Sequence, residues 1–506
     1  MNDFGRRSAE INDLLCILNV LNWDARTQMP AGGSSARAQQ LATLSALAQE
    51  KLLDPAYEAA ARAVDGDDEE TRAARQALDA IAALRRIPAE LTRELALLKS
   101  EAQEVWARAR AASDFGLFAP QLTRMVELNR QLAEALGYEG HPYDALLNLY
   151  EPGLTVETLL PLFERLRDHH VPLLRAIQER PQPRTDFLHA HYPAAQQKRV
   201  SLALAKQFGY DTSRGRLDES AHPFEISFTR QDVRITTRFQ ENFLPGALFG
   251  TLHETGHALY EQGVRPELSR TVLTGDLPGL YAVGGASYGT HESQSRLWEN
   301  RIGRSRAYWN LHFPHLQNIF PRQLADVDTA AFHRAVNTVR PSLIRVEADE
   351  LTYDLHIMLR VELERLLIGG ELAVKDLPEA WNARIRSDLG LDVPDDARGV
   401  LQDIHWSAGM FGSFPTYTVG NVMASQFYAA ATEQLPELED TLRRGEYTPL
   451  REWLTDNIYQ HGRTYTPHEL LTRVTGRGLD PQPYLDYLSG KYGELYGLDI
   501  QKEQTA

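Results

Sequence analysis

The sequence FGTLHETGHALY, residues 249–260, places two histidines four positions apart on a stretch with the composition of a buried helix. Residues four apart lie on one face of an α-helix, so His253 and His257 can present two imidazole nitrogens to one metal ion. Glu254 then lies beside the pair, where its carboxylate can take a proton from water that the ion activates. Because the flanking residues are uncharged, we expect the helix in a water-poor cleft. The pattern indicates a metal-dependent hydrolase.

A chance match of this motif on an ordinary helix surface is the alternative interpretation. Gly256 weighs against it, because glycine inside a helix costs about 1 kcal/mol relative to alanine. Such a glycine is kept mainly where helices pack closely or where a site needs it. Gly256 therefore supports the functional interpretation of the motif.

A catalytic zinc ion usually takes three protein ligands, so a third is required. The position at which a metzincin would carry a third histidine holds Gly263, so the ligand must come from further along the chain. Glu292, in a segment predicted to open a helix after a Gly-rich loop, is the candidate, and Glu299 competes with it two turns later. Glu261 is expected to be a solvated or supporting carboxylate. A glutamate ligand from a following helix is the gluzincin arrangement.

The N-terminal part of the chain predicts a helical assembly. Between residues 36 and 135 apolar residues return every three or four positions, which is typical of amphipathic helices. Breaks are expected at residues 65–67, 87–88 and 140–142, and another helix from Thr155 to about Gln178. The predicted fold class is therefore mainly α.

One stretch differs from this pattern. In residues 222–239 aromatic and β-branched residues alternate with polar ones on both sides of a short polar turn, which predicts a β-hairpin. Beyond it, helical periods return, with loops expected at residues 275–289 and 407–420. We expect one catalytic unit over residues 1–506, with a mostly helical N-terminal lobe (1–215) and a metal-site lobe (216–506) that carries the hairpin.

Composition excludes several classes of partner. The net charge is -16 without a Lys/Arg-rich run, so we expect no nucleic-acid partner. No apolar stretch is long enough to cross a membrane, and Leu14 to Leu21 is expected to be a buried helix segment. The single cysteine, Cys16, is expected to be a buried structural thiol, which fits a reducing cytoplasm. His169 and His170 lie outside every motif and are expected at the surface.

Six short motifs follow one another along most of the chain: His222-Pro223-Phe224, Asp232 to Thr236, His253 to His257, His291-Glu292-Ser293-Gln294, Ile344 to Asp349, and Gly399 to Trp406. Together they resemble the carboxypeptidase Taq family of metallocarboxypeptidases. Six motifs in the family's order are very hard to obtain by chance. One departure is a loop at residues 264–290 that is several residues longer than the family pattern.

The resemblance implies a large multi-helix gluzincin fold, similar to neurolysin, with a small antiparallel β element beside the active-site groove. It also implies a homodimer that removes single residues from peptide C-termini. By motif position, His253, His257 and Glu292 would be the metal ligands and Glu254 the general base. One divalent metal per chain is expected, namely Zn²⁺, with Co²⁺ as a possible substitute.

Other candidates come from what peptide hydrolysis at a C-terminus requires. An exopeptidase must hold a free carboxylate, which suits Arg345, expected on a helix, or Arg234; an ordinary salt bridge is the alternative for either. A donor to the developing oxyanion could be Tyr417, expected in a loop, or His405, although both could be core side chains. His222 is a candidate substrate contact near the cleft, or a structural residue at the end of the hairpin.

Three functions from different classes fit these patterns. The first is a zinc carboxypeptidase of broad specificity that acts on peptides. The second is a gluzincin oligopeptidase or dipeptidyl carboxypeptidase with similar chemistry. The third is a helical peptide-binding scaffold whose metal is structural or lost. Intact His253, Glu254, His257 and Glu292 weigh against the scaffold.

Overall fold

A computed structural model describes residues 2–498, of which most are helical, so the predicted mainly-α class is confirmed. The helices of the first half are α1 (Asp3–Thr27), α2 (Ser34–Leu52), α3 (Pro55–Arg62), α4 (Glu69–Arg86), α5 (Ala89–Ala112), α6 (Phe115–Leu136), α7 (Pro142–Leu147), α8 (Val156–Gln178) and α9 (Ala194–Phe208). The breaks predicted at residues 65–67 and 87–88 fall between helices, and the one at 140–142 ends at Pro142, the first residue of α7. Thr155 caps α8, accepting a hydrogen bond from the Thr158 N–H, as its sequence position predicts.

The helices of the second half are α10 (Leu244–Gly263), α11 (Tyr288–Arg296), α12 (Arg306–Ile319), α13 (Thr329–Val336), α14 (Glu350–Gly369), α15 (Leu377–Leu389), α16 (Pro415–Gln434), α17 (Leu438–Arg443), α18 (Thr448–Asn457), α19 (Pro467–Thr475) and α20 (Gln482–Tyr496). A π-helical segment, Leu297–Ile302, continues α11. Within residues 2–498 no helix combines the length and the apolar character that crossing a bilayer requires.

The described chain divides into two units, each assembled from three separated stretches. The first unit contains residues 2–84, 183–336 and 423–479, and the second contains residues 85–182, 337–422 and 480–498. Neither unit is therefore continuous in the sequence. Such a division depends on contacts between distant stretches, which local sequence patterns do not specify.

In the first unit, α1 packs against α2 and α3 over an apolar core. The fully buried members of this core include Leu15, Leu52 and Ala77. Cys16 is half-buried at its edge, and burial raises the pKa of its thiol to about 12. Cys16 is therefore less buried than expected, although its thiol remains protonated near neutral pH.

The predicted hairpin is confirmed, and a third strand joins it. Strand β2 (Glu225–Thr229) pairs antiparallel with β3 (Asp232–Thr237), with a bulge between Ser227 and Thr229. Strand β1 (Leu217–Glu219) pairs parallel with β3, and this short strand carried no sequence signal. Strand β3 packs against α10, so the sheet supports the helix that carries the metal motif. A second pair, β4 (Gly275–Asp276) and β5 (Tyr281–Ala282), lies in the loop that precedes α11.

In the second unit, α14 packs against α6, α7, α8 and α15. Asp349 caps α14 by accepting from the N–H groups of Leu351 and Thr352, and Gly370 ends it with φ 84°. The expected surface position of His170 is wrong, because His170 is fully buried and its Nε2 lies 3.2 Å from Oδ2 of Asp354.

Two predictions of local structure need correction. The loop expected at residues 407–420 ends early, because α16 begins at Pro415 and includes Tyr417. Proline suits the first turn of a helix, where its missing N–H has no partner to lose. Arg345 is not on a long helix but in a single 3-10 turn, Arg345–Glu347, just before α14.

Candidate active site

A glycine on α10 determines how closely the next helix approaches the metal motif. A Cβ at Gly256 would lie 2.4 Å from the carbonyl oxygen of Gln294 and 2.6 Å from Cα of Ser295. Only a residue without a Cβ lets the backbone of α11 pack this closely. This close contact presents Glu292 of α11 to the motif on α10.

The three predicted ligands form one group. The ligand atoms of His253, His257 and Glu292 all lie within 4.8 Å of one another. Oε2 of Glu292 lies 3.4 Å from Nε2 of His253 and 3.3 Å from Nε2 of His257. Since Nδ1 of each imidazole contacts another side chain, both Nε2 atoms remain for a metal. Two imidazole nitrogens and a carboxylate oxygen match the donor set of a catalytic zinc site.

Glu299, the competing candidate, lies on the far side of one imidazole. Its Oε2 is 2.9 Å from Nδ1 of His253, and its Oε1 accepts from Arg304 at 3.0 Å. In metal sites a carboxylate at this position orients the ligand ring and fixes its tautomer. Arg296 Nε donates to Oε1 of Glu292 at 2.7 Å, which leaves Oε2 of Glu292 facing the two imidazoles.

A second support chain lies behind the other imidazole. Nδ1 of His257 is 2.5 Å from Nδ1 of His291, and Nε2 of His291 is 2.9 Å from Oε1 of Glu261. Of the two alternatives predicted for Glu261, a solvated or a supporting carboxylate, the structure agrees with the second, because Glu261 is buried and contacts His291.

Glu254 lies on the same helix and is 6% exposed. Burial raises the pKa of its carboxyl to about 7; the charge of Glu292 adds to this rise, and His253 and Arg26 oppose it. The guanidinium of Arg26 lies 3.5 Å from the ring centroid of Phe224. A carboxyl with a pKa near neutrality can both accept and return a proton at physiological pH.

In the second unit, Arg345 is buried against Asp403. Its Nε and Nη2 donate to Oδ1 of Asp403 at 2.9 and 2.8 Å, and its Nη1 donates to the hydroxyl of Tyr353 at 2.8 Å. Arg360 also donates to Asp403, through Nε at 2.6 Å. A guanidinium has five N–H donors, so two of those on Arg345 have no partner among the described residues.

His405 and Tyr417 belong to the same cluster. The imidazole of His405 stacks on Phe414 at 4.3 Å between centroids, and the ring of Tyr417 meets it edge-on at 6.5 Å. Nδ1 of His405 is buried without a hydrogen-bond partner among the described residues, and its distance to Oδ1 of Asp403 is 4.0 Å, which is too long for a hydrogen bond. Burial, with the charge of Arg345, lowers the pKa of His405 to about 4, so the ring is neutral near pH 7.

Arg234 and His222 lie in the first unit, on and beside the three-stranded sheet. Arg234 donates through Nε and Nη2 to the two oxygens of Asp232, at 2.8 Å each. Its guanidinium also lies over the rings of Trp23 and Phe228, at 4.3 and 4.7 Å. Arg234 thus makes a salt bridge within the hairpin, which was the alternative to a role in substrate binding. His222 is exposed, in a bend before β2.

Three residues of these clusters were not assigned from the sequence. His291 directly precedes Glu292, yet its contact with His257 depends on how α10 and α11 pack. Asp403 stands in a matched motif, but only the structure shows that it joins two arginines. Arg26 carries no local signal, because its position near Glu254 arises from the packing of α1 against β2.

A helix with two histidines and an intervening glutamate, joined by a glutamate from the next helix, is the arrangement of a gluzincin-type metallopeptidase. The sequence narrows this class further. The sequence model of the carboxypeptidase Taq (M32) metallopeptidases matches residues 3–492, and the chain belongs to this family.

Two named relatives support this family assignment. The chain is 44% identical to thermostable carboxypeptidase 1 of Thermus thermophilus over 492 residues, which cover 94% of each chain. It is 40% identical to carboxypeptidase 1 of Bacillus subtilis over 486 residues, covering 94% of this chain and 95% of the relative. The resemblance found in the six motifs is therefore confirmed over nearly the full length.

Solved structures show the same fold. The M32 carboxypeptidase of Deinococcus radiodurans superposes with a TM-score of 0.94 at 43% identity, covering 98% of this chain and 99% of that one. A carboxypeptidase of Pyrococcus furiosus superposes with a TM-score of 0.93 at 36% identity, covering 97% and 99%. The predicted gluzincin fold is confirmed, and the chain is a metallocarboxypeptidase, a hydrolase of peptide bonds. Neither the oligopeptidase nor the scaffold alternative is favoured.

Proposed function

We propose that this chain is a zinc carboxypeptidase that removes single residues from the C-termini of peptides. In this proposal His253, His257 and Glu292 hold the zinc ion, and Glu254 is the general base. The observation that carries the proposal is the approach of one Glu292 oxygen to within 3.4 Å of Nε2 of His253 and 3.3 Å of Nε2 of His257. A structural zinc site closes with four protein ligands, whereas a catalytic site takes three.

Zinc bound at this site supplies a Lewis acid that polarises the scissile carbonyl and makes water more acidic. Glu254 then takes a proton from the attacking water at its carboxylate oxygen. The same carboxyl gives that proton to the nitrogen of the leaving amine, because the amine must be protonated before the peptide bond breaks. The buried position of Glu254 supports this role, since a desolvated carboxylate is a stronger base.

Arg345 is our proposed anchor for the substrate carboxylate. Its two unpartnered N–H groups, one on each Nη, can form a forked pair with a carboxylate while Asp403 and Tyr353 hold the rest of the guanidinium. Arg234 is the second candidate, although Asp232 already takes its Nε and Nη2 donors. His222 is proposed as a further substrate contact, which its exposure allows.

We propose Tyr417 and His405 as donors to the oxygen on which charge develops in the transition state. Losing one such donor typically costs about 3–4 kcal/mol of transition-state stabilisation. A neutral His405 retains one N–H, which is the kind of donor this role requires.

The setting of the enzyme is part of the same proposal. We infer one catalytic unit over the whole chain, one Zn²⁺ per chain with Co²⁺ able to substitute, a homodimer, and a cytoplasmic location. The raised pKa of the Cys16 thiol, which keeps it protonated, fits a chain that needs no disulfide.

The variant Glu254→Gln tests the assigned base. It should keep its zinc, because all three ligands remain, while kcat falls by about 10²- to 10⁴-fold. Zinc content by elemental analysis and release of free amino acids by mass spectrometry measure the two properties. The exposed Glu267→Gln is the matched control and should behave like the parent enzyme. Near-normal turnover of Glu254→Gln would overturn the mechanism.

A further inference from the structure

The two histidines of the motif have different partners behind their rings. His253 contacts a carboxylate directly, with Nδ1 2.9 Å from Oε2 of Glu299. Behind His257 a second imidazole, that of His291, stands between the ring and a carboxylate. Nδ1 of His257 lies 2.5 Å from Nδ1 of His291, and Nε2 of His291 lies 2.9 Å from Oε1 of Glu261. Carboxylates orient many metal-ligating histidines, but an interposed imidazole adds a second tautomer that must also be fixed.

The short contact between the two Nδ1 atoms admits a single proton. Two N–H groups would repel each other, and two lone pairs would too, so one ring donates and the other accepts. A metal on Nε2 of His257 requires the proton of that ring on Nδ1, so His257 donates. His291 must then accept at Nδ1 and carry its own proton on Nε2, where Oε1 of Glu261 accepts it. One arrangement of protons therefore satisfies all three residues.

Glu261 is held in place from several sides. Its oxygens accept from the backbone N–H of Gly284 at 2.9 Å, the backbone N–H of Gly285 at 3.1 Å and the hydroxyl of Ser227 at 3.0 Å. Its side chain is 6% exposed, and that of His291 is 10% exposed. A carboxylate that already accepts from these three donors can act only as an acceptor toward His291, which fixes the His291 tautomer.

The loop before α11 is shaped around this chain of contacts. A Cβ at Gly285 would lie 2.3 Å from Cδ2 of His291, and a Cβ at Gly284 would lie 3.1 Å from Oε2 of Glu261. Both glycines thus supply N–H donors, while Gly285 leaves room for the imidazole and Gly284 leaves room for the carboxylate. The ring of Tyr260 stacks on the ring of His291 at 5.2 Å.

We propose that His291 is a positioning residue that sets His257 as an Nε2 metal ligand, and that Glu261 fixes His291 for this task. This inference rests on the proposed metal site, and it assigns a role to two residues that touch neither the metal ligand atoms nor the reacting groups. The consequence is that metal affinity depends on an acceptor atom at the position of His291 Nδ1.

Two substitutions of similar polarity separate positioning from packing. The Oδ1 atom of asparagine occupies the place of an imidazole Nδ1, so His291→Asn keeps an acceptor for His257. The longer glutamine side chain places its amide near the position of Nε2, so His291→Gln can meet Glu261 but not His257. We expect the zinc dissociation constant to rise by about 10- to 100-fold in His291→Gln and by less than about threefold in His291→Asn.

Zinc affinity is measured by competition with a chelator of known affinity, and the melting temperature of each metal-free form is measured separately. A matched control is His312→Gln, because His312 is also buried in the first unit and bonds Tyr447 at 2.7 Å. It should lower the melting temperature and leave zinc affinity unchanged. Glu261→Gln, which can present an N–H to His291, should weaken zinc binding as His291→Gln does.

The results decide the inference whatever the activity assays show. Affinity that is retained in His291→Asn and lost in His291→Gln supports the positioning role. Equal losses in both variants, in proportion to their loss of metal-free stability, would make His291 a packing residue and overturn it, as would unchanged affinity in both. Failure of the parent chain to bind zinc would instead contradict the proposed function.

Discussion

A Cβ at Gly256 would lie 2.4 Å from the carbonyl oxygen of Gln294, so the absence of a side chain on α10 sets the distance to α11. The obstacle is backbone, which cannot rotate away as a flexible side chain can. Glu292 stands two residues before this contact, and its approach to His253 and His257 therefore depends on Gly256.

Gly256→Ala should accordingly weaken both the fold and the metal site. We expect a loss of roughly 1–3 kcal/mol in the free energy of unfolding, which is typical of overpacking, and a weaker affinity for zinc. Gly250→Ala on the same helix is the control, since the nearest atoms to its Cβ are the Thr237 hydroxyl at 3.1 Å and the Pro223 ring at 3.6 Å. That variant should cost less than Gly256→Ala, because its tight contact is with one side-chain hydroxyl rather than with backbone, and alanine favours the helix. Equal effects of the two substitutions would contradict the packing argument.

Glu292→Ala should reduce zinc retention far more than Glu299→Ala. The first change removes a proposed ligand, whereas the second removes a carboxylate behind His253, a loss that typically weakens binding by about 10- to 100-fold. Equilibrium dialysis of both variants against zinc measures the ranking. The opposite order would transfer the ligand role to Glu299.

Glu364 makes the second unit sensitive to pH. It is fully buried and accepts from the hydroxyl of Tyr143, the N–H of Gly412 and the indole N–H of Trp406. Burial nevertheless raises the pKa of this carboxyl from 4.5 to about 7. Because the folded chain then binds a proton more tightly than the unfolded chain, its stability should fall as pH rises from about 5 to about 7.

Glu364→Gln tests this prediction, since glutamine carries no charge at any pH. The variant should lose the hydrogen-bond geometry at every pH, so its free energy of unfolding should be lower than that of the parent. This difference in the free energy of unfolding should be largest near pH 5 and should shrink by up to roughly 3 kcal/mol near pH 8. Denaturant unfolding of metal-free protein at several pH values gives both curves. A deficit that stays constant with pH would show that Glu364 does not titrate in this range.

Arg345→Lys tests the proposed carboxylate anchor. Lysine keeps the charge but not the forked geometry, so the scissile bond of a bound peptide is misplaced and kcat/KM should fall by about 10²-fold. Arg234→Lys is the control and should have a small effect. Melting temperatures of both variants show whether a loss of activity reflects unfolding. If only Arg234→Lys loses activity, the anchor is Arg234.

Local signals in the sequence predict the parts of this structure that local chemistry determines. The spacing of His253 and His257 predicts a shared helix face, Thr155 predicts the start of α8, and the alternation in residues 222–239 predicts the hairpin. Tyr417 was misplaced because Pro415 suggested a loop, whereas proline also begins helices, as it does in α16.

Tertiary packing determines the contacts between residues that are distant in the sequence. Nothing in the order of residues shows that His291 meets His257, or that His170 is buried beside Asp354. Arg345 was chosen as a candidate because it stands within a motif, but its pairing with Asp403 joins side chains 58 positions apart. Contacts of this kind depend on how the three stretches of each unit assemble.

The most direct test of the central claim compares three forms of one peptide: unmodified, acetylated at the N-terminus, and amidated at the C-terminus. Time-resolved mass spectrometry of each digest identifies the products. The unmodified and acetylated peptides should lose single free amino acids from the C-terminus, whereas the amidated peptide should remain intact, because a neutral amide cannot replace the carboxylate in a charge-assisted pair. Equal cleavage of the amidated and unmodified peptides, or release of dipeptides and internal fragments, would contradict the account.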